Sequence, residues 1–251
     1  MSNTIDLNCD MGESFGAWRM GDDDAVMPWI TSANVACGFH AGDFTTMQKT
    51  VALAKKHNVV VGAHISLPDL QGFGRRELRV SPDEAYAMSL YQIGALQAVA
   101  HAQGVRVAHV KPHGALYNMA ARDRALADAV ARAVRDVDKD MILIGLAGSE
   151  LIRAAEAEGI RAAHEAFADR RYEPDGSLMS RREADAVIHD VGVAVAQAVR
   201  IATNGKVDSR GREIDIRADT ICVHGDRADA GVFAQKLRRS LEGAGVVVEA
   251  L

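Results

Sequence analysis

Residues 32–43 read SANVACGFHAGD. The first half has the pattern of a strand, with Ala33, Val35 and Cys37 as alternating apolar positions. The second half breaks that pattern. Gly38, His40, Gly42 and Asp43 follow in quick succession, and then FTTMQKTVALAKKH (44–57), a helical stretch that Asp43 or Gly42 can cap. Strand, glycine turn and helix in direct succession make the first half of a βαβ unit. Asp43 has two readings at this level, helix cap or site residue. Gly38 and Gly42 either permit the turn or let backbone N–H groups approach a ligand.

The same rhythm runs through the chain. Strands are predicted at 4–8, 34–37, 59–64, 105–110, 141–146, 160–167 and 220–225, with a short eighth at 246–250. Most read as apolar and β-branched on both faces, as in a parallel sheet covered by helices. Ser81-Pro82-Asp83-Glu84 combines a capping box with a proline at the first helical position and opens a helix to about residue 103. Ser180 with Glu183 predicts a similar start for a helix to about residue 203. Asp123 and Ser149 are caps for two more helices, and a last helix covers roughly residues 230–241. Seven repeated units favour a closed barrel over an open doubly wound sheet. No compositional break divides the chain, so residues 1–251 read as one α/β domain, a (β/α)7 TIM-like barrel.

The 251 residues carry a formal net charge of −5, with 48% hydrophobic and 25% charged residues. Nothing in that balance grips nucleic acid or an anionic membrane, and the apolar runs are too short to span a bilayer. The start, MSNTIDLNCD, has neither a basic n-region nor an apolar h-region, which predicts a cytoplasmic protein. Three scattered cysteines make no disulfide framework, and Cys9 and Cys37 read as small buried apolar residues.

Polar and titratable residues gather at the carboxyl ends of the predicted strands, the face on which βα-barrels build their sites. Strand one leads to Asn8, Asp10 and Glu13, and strand two to His40 and Asp43. Strand three ends at His64, strand four runs into Lys111, His113 and Tyr117, strand six into Glu165 and Arg170, and strand seven into His224. Arg75-Arg76, between glycine turns, reads either as surface charge or as a clamp for a carboxylate or phosphate. His57, His101, His109 and His189 read as structural, and GDDD (21–24) as a solvated turn. There is no P-loop, dinucleotide fingerprint, nucleophile elbow or H-E-x-x-H. Asp10, His40 and His113 are the best set for an open divalent-metal site.

Seven ordered blocks carry a family resemblance: DLNCDMGE (6–13), SANVACGFHAGD (32–43), GAHISLPD (62–69), GFGRRE (72–77), VKPHGALYN (110–118), EAFADRRYEPDGSLMSR (165–181) and CVHGD (222–226). Together they resemble the signature blocks of the LamB/YcsF family across the whole chain. The resemblance implies a barrel of the glycoside hydrolase/deacetylase type. It implies ATP-dependent opening of 5-oxo-L-proline to L-glutamate, with magnesium accompanying ATP, in a 5-oxoprolinase that also needs subunits B and C. Homo-oligomerisation is left open.

On that reading Asp10 or His113 activates water, Lys111 and an arginine of the Arg75-Arg76 pair hold phosphate or the substrate carboxylate, and His40 positions the lactam. Asn8, Glu13, His64, Tyr117, Glu165, Arg170 and His224 complete the binding set. Without a P-loop, either ATP binds here in another way or a partner carries out phosphorylation. Two rival readings share these residues: a metal-dependent deacetylase or amidohydrolase acting alone, and a non-catalytic metabolite-binding protein.

Overall fold

The computed structural model describes residues 4–181, 183–223 and 229–251. Seven parallel strands close on themselves: β1 (Thr4–Met11), β2 (Ser32–Ala36), β3 (Val60–Ile65), β4 (Val107–Pro112), β5 (Ile142–Leu146), β6 (Arg161–Phe167) and β9 (Thr220–Val223). Closure is made by β9, which pairs with β6 on one side and with β1 on the other. Between β6 and β9 lies an antiparallel hairpin, β7 (Lys206–Ser209) and β8 (Arg212–Asp215). The predicted eighth strand is the short β10 (Val247–Val248), parallel to the start of β1. The helices are α1 (Asp23–Val26), α2 (Phe44–His57), α3 (Pro82–Ala102), α4 (Gly114–Ala120), α5 (Arg124–Val137), α6 (Glu150–Ala157), α7 (Val191–Asn204) and α8 (Ala230–Gly243). None of the described helices is long and apolar enough to cross a membrane.

Strand periodicity divides β1 between two environments. Ile5, Leu7, Cys9 and Met11 join the apolar core. Asp6, Asn8 and Asp10 alternate with them and bond to groups on strands around the barrel, so they face its lumen. The lumen is therefore largely polar, unlike the apolar faces expected of these strands. At its lower end the Asp6 carboxylate accepts hydrogen bonds from the hydroxyls of Thr31, Ser32 and Thr220. Above it Asn8 donates to Thr220 Oγ1 at 2.7 Å and Asn34 donates to Asn8 Oδ1 at 2.8 Å. A small apolar patch, Ile142, Ile144 and Ala163, packs with the C-terminal Leu251.

Gly62 is required by this filling. The His109 ring occupies the space that a side chain at position 62 would take, and an added Cβ would fall 2.0 Å from it. His109 in turn bonds Asn34 Oδ1 through Nε2 at 2.8 Å. It is a structural histidine, and burial, with Lys111 and His64 nearby, pushes its pKa down to about 3.

Several helix starts follow local chemistry. Ser81 and Glu84 form the predicted capping box. Asp123 accepts from the amides of Ala125 and Leu126. Asp43 accepts from the Thr46 amide at 2.8 Å, which decides for the cap, and its other oxygen accepts from the Gly16 amide at 2.7 Å. Three expectations need correction. Ser149 stands at the start of α6, but its buried hydroxyl makes no cap bond. The helix predicted from Ser180 begins at Val191, capped by Asp190. The backbone before it is committed elsewhere: Arg171 N–H bonds Ala186 O, Ile188 N–H bonds Asp169 O, and Ala186 and Ile188 are buried. GDDD is not simply a solvated turn. Asp22 caps α1, and the Asp23 carboxylate accepts from the Gly12 amide and the Thr50 hydroxyl.

Gly62→Ala is expected to destabilise the fold by about 1–3 kcal/mol or more through overpacking. His109→Ala in the same chain should recover part of the loss. Urea denaturation of the two variants checks this, and a Gly62→Ala protein as stable as the parent would show that the ring yields freely.

Candidate active site at the barrel mouth

Lys111 stands at the centre of the site. It lies on β4, is 2% exposed, and directs its ammonium across the lumen. Nζ is 2.8 Å from Glu165 Oε1, 3.0 Å from Asp10 Oδ1, 3.0 Å from Asn8 Oδ1 and 3.1 Å from Cys222 Sγ. These partners come from three other strands, β6, β1 and β9. Burial opposes the lysine charge, but Asp10, the Cys222 sulfur and Glu165 outweigh it and raise its pKa well above the ordinary value. Burial likewise opposes ionisation of Asp10, yet His64 and Lys111 hold its carboxyl well below the usual range. Asn34 donates to the same Asp10 oxygen at 2.9 Å.

Asp10 also leads into a second group. Its Oδ2 lies 3.2 Å from His64 Nε2, and that nitrogen lies 2.9 Å from His113 Nδ1. His40 stacks on His113 with ring centroids 3.9 Å apart, and its Nε2 is 3.2 Å from Glu13 Oε1. Glu13, His40, His64 and His113 each offer a ligand atom within 4.8 Å of the others, a donor set able to hold a metal ion. Burial, followed by the neighbouring histidines, lowers the pKa of His113 well below its usual value, and burial with His64 does the same to His40. Both rings are neutral at ordinary pH.

Local backbone sets this arrangement. The loop after β3 presses Gly74 onto the rings. Its φ is +63°, and a Cβ there would lie 2.3 Å from Ser66 Oγ, 2.8 Å from His40 Cβ and 2.9 Å from His113 Cδ2. Asp69 closes the same loop by accepting from the Gly72 amide and pairing with Arg76.

On the other side of Lys111, the Tyr117 hydroxyl and Glu165 Oε2 are buried with no hydrogen-bond partner outside this pair of residues. Burial raises the Tyr117 pKa well above normal, and the Glu165 charge adds to it. Glu165 also interacts with the phenol by hydrogen bonding, so the two groups form one polar corner beside a charged lysine that a small polar ligand can enter.

The structure thus brings Asn8, Asp10, Glu13, His40, His64, Lys111, His113, Tyr117 and Glu165 into one lumen. Among the three residues first grouped as metal donors, His40 and His113 lie in the convergent set, whereas Asp10 stands beside it and pairs with Lys111. The arginines are elsewhere. Arg76 Nε and Nη2 both go to Asp69, which fills its fork with a loop carboxylate in place of a phosphate. Arg170 is buried and donates to the carbonyls of Met179 and Ala186, so it braces the loop after β6; burial lowers its pKa to about 10. Arg75 lies at the rim, 4.9 Å from the Phe73 ring. His224 falls outside the described residues. Sequence reading missed Asn34, Thr220 and Cys222 as supports of the Lys111 centre. The polar alternation in TIDLNCDM was the available signal.

Comparison with known proteins adds to this geometry. A family model described as LamB/YcsF matches residues 5–251. The chain belongs to the LamB/YcsF family. Among its relatives, a Bordetella pertussis protein named as the A component of 5-oxoprolinase is 57% identical over the full length of both chains. A Bacillus subtilis protein of the same name is 53% identical, covering 98% of this chain and 96% of that one. The crystal structure of a lactam utilization protein from Thermus thermophilus superposes with a TM-score of 0.94 at 46% identity, over 99% of this LamB/YcsF chain and 100% of that one.

The ion pairs at Lys111 yield a direct test. Lys111→Met removes the counter-charge that two buried carboxylates share, leaving Asp10 only His64 and Glu165 no cation, and is expected to cost about 3–5 kcal/mol. Adding Glu165→Gln should restore part of that stability, because the pair is coupled. Urea denaturation of the single and double variants measures both effects, and strict additivity would contradict the coupling.

Proposed function

We propose that this chain is the A component of a cytoplasmic 5-oxoprolinase, which opens 5-oxo-L-proline to L-glutamate at the cost of ATP and acts with subunits B and C. The names of relatives at 53–57% identity support the assignment. The observation that carries it to a site is the buried Lys111–Asp10 pair beside the Tyr117 hydroxyl and the Glu165 carboxylate, which lie close to each other and make no other side-chain bond at Tyr117 Oη or Glu165 Oε2.

A five-membered lactam is a stable amide, and its opening needs a source of free energy. Transfer of the γ-phosphoryl group of ATP to the lactam oxygen forms an O–P bond and releases ADP. Water then adds to the activated carbon, and the ring C–N bond breaks with protonation of nitrogen. A second water releases phosphate from the resulting acyl phosphate. The sum is 5-oxoproline, ATP and two waters to glutamate, ADP and phosphate.

In this reading Lys111 is a fixed positive charge for the oxygen that becomes negative, a preorganised role that low dielectric strengthens. Asp10, ionised throughout the neutral range, holds the attacking water and keeps Lys111 charged. Its low pKa suits orientation better than proton abstraction. Tyr117 and Glu165 hydrogen-bond the ring, and Arg75 at the rim takes a carboxylate or phosphate. Magnesium enters with ATP as part of the co-substrate.

The test is co-expression with subunits B and C and an assay of glutamate from 5-oxoproline. Glutamate should form only with ATP, and Asp10→Asn should lower the rate about 100-fold or more at unchanged complex assembly. Titrating ATP into the isolated chain then assigns the nucleotide to this component or to a partner. Glutamate formation by the chain alone, without ATP, would favour a stand-alone amidohydrolase. Ligand binding with no turnover by the assembled complex would favour the binding-protein reading.

A further inference from the structure

We propose that Glu13, His40, His64 and His113 hold one resident divalent ion of the zinc-like transition-metal class, distinct from any magnesium that travels with ATP. The decisive feature is which nitrogens are already committed. His64 Nδ1 lies 3.0 Å from the Lys111 carbonyl, and His113 Nε2 lies 2.9 Å from the Phe73 carbonyl. A carbonyl can only accept, so each of these nitrogens carries the proton. The nitrogens turned away from the backbone are then His64 Nε2, which also has Asp10 Oδ2 at 3.2 Å, and His113 Nδ1. They face each other at 2.9 Å. Two lone pairs at that distance repel unless an electron-pair acceptor lies against both.

The surrounding groups repeat the pattern. His40 Nε2 and Glu13 Oε1 are 3.2 Å apart, and Glu13 Oε1 is 3.8 Å from His113 Nδ1. Bonds of about 2.0–2.2 Å to one ion in a tetrahedral shell place neighbouring donors about 3.3–3.6 Å apart, so the 2.9 Å pair opens slightly and the 3.8 Å pair closes slightly to complete a coordination sphere. Backbone carbonyls behind two metal-ligand histidines are the usual outer support, fixing tautomer and ring orientation. Gly74 and the stacked His40 and His113 rings add steric restraint. Three imidazoles with one carboxylate suit zinc, cobalt, nickel or iron(II), whereas magnesium and calcium take oxygen donors. When bound, such an ion polarises a carbonyl oxygen or lowers the pKa of a bound water.

The inference does not depend on 5-oxoproline as substrate, and it is read without turnover. The full-length chain, stripped with chelator, is titrated with zinc and with cobalt(II) by calorimetry, and cobalt binding is followed by its visible d–d bands. One equivalent should bind, excess magnesium should not displace it, and zinc should raise the thermal midpoint. His64→Gln and His113→Gln should each weaken binding at least about 100-fold, the upper end of what losing ligand support alone costs. Glu13→Gln, at a more exposed position, should weaken binding and shift the cobalt spectrum while keeping all three imidazoles, which guards against loss of fold in the buried variants. His57→Gln, on the surface of α2, should leave binding unchanged. Failure of the parent chain to bind either metal, or equal binding by the Glu13, His64 and His113 variants, would overturn the proposal. In the first case a shared proton, with His64 paired to Asp10, is what lies between the rings. Metal content and glutamate formation are separate readouts, so either reading can fail alone.

Discussion

Lys111 carries its charge inside a seven-stranded barrel, where removing an ammonium group from water costs several kcal/mol. That cost shapes the neighbourhood. Asp10 and Glu165 supply opposite charge from two other strands, and Asn8 supplies an oxygen between them. Asn8 is itself held by Asn34 and Thr220, and Asn34 by His109. A lumen of this kind differs from the usual barrel interior, which layers of branched apolar side chains fill. The apolar core lies instead between the strands and the helices.

The same network links base and mouth. Asp6 at the bottom binds Thr220, Thr220 binds Asn8, Asn8 binds Lys111, and Lys111 binds Asp10, which reaches His64 and its neighbouring rings. Each polar group is positioned by others already satisfied, and such preorganisation gives catalytic dipoles their effect. The exceptions are informative. Of the six buried side-chain atoms without a hydrogen-bond partner among the described residues, the Tyr117 hydroxyl, Glu165 Oε2 and His40 Nδ1 belong to the residues of the lumen mouth, where Tyr117 and Glu165 adjoin each other.

The architecture was legible in sequence because strand and helix periods are local. All seven barrel strands and the short eighth were anticipated, as were the caps at Ser81 and Asp123. The helix start at Ser180 failed because a capping box is also local, whereas the backbone of 171–188 is bound to other parts of the same loop. The hairpin of β7 and β8 and the short α4 were not anticipated, being too brief for periodicity to register. At the site, the chain order of Asp10, His40, Lys111 and His113 shows that they share one end of the barrel. It does not show which lone pairs converge. That depends on two backbone carbonyls, Lys111 O and Phe73 O, which direct the His64 and His113 rings. Arg76 and Arg170 lie away from the lumen for a related reason: Asp69 and two loop carbonyls claim them, and no local pattern records such partners.

The pairing of Gly62 with the His109 ring has a historical consequence. The two positions share one volume on adjacent strands, and the ring takes the larger part of it. Sequence drift here has a preferred order. The ring must shrink before position 62 can acquire a side chain, since the reverse order passes through an overfilled barrel. Even the first step removes the donor that holds Asn34, two hydrogen bonds from Lys111. A lineage that keeps the buried lysine is therefore steered toward keeping a residue with no side chain at all on the neighbouring strand.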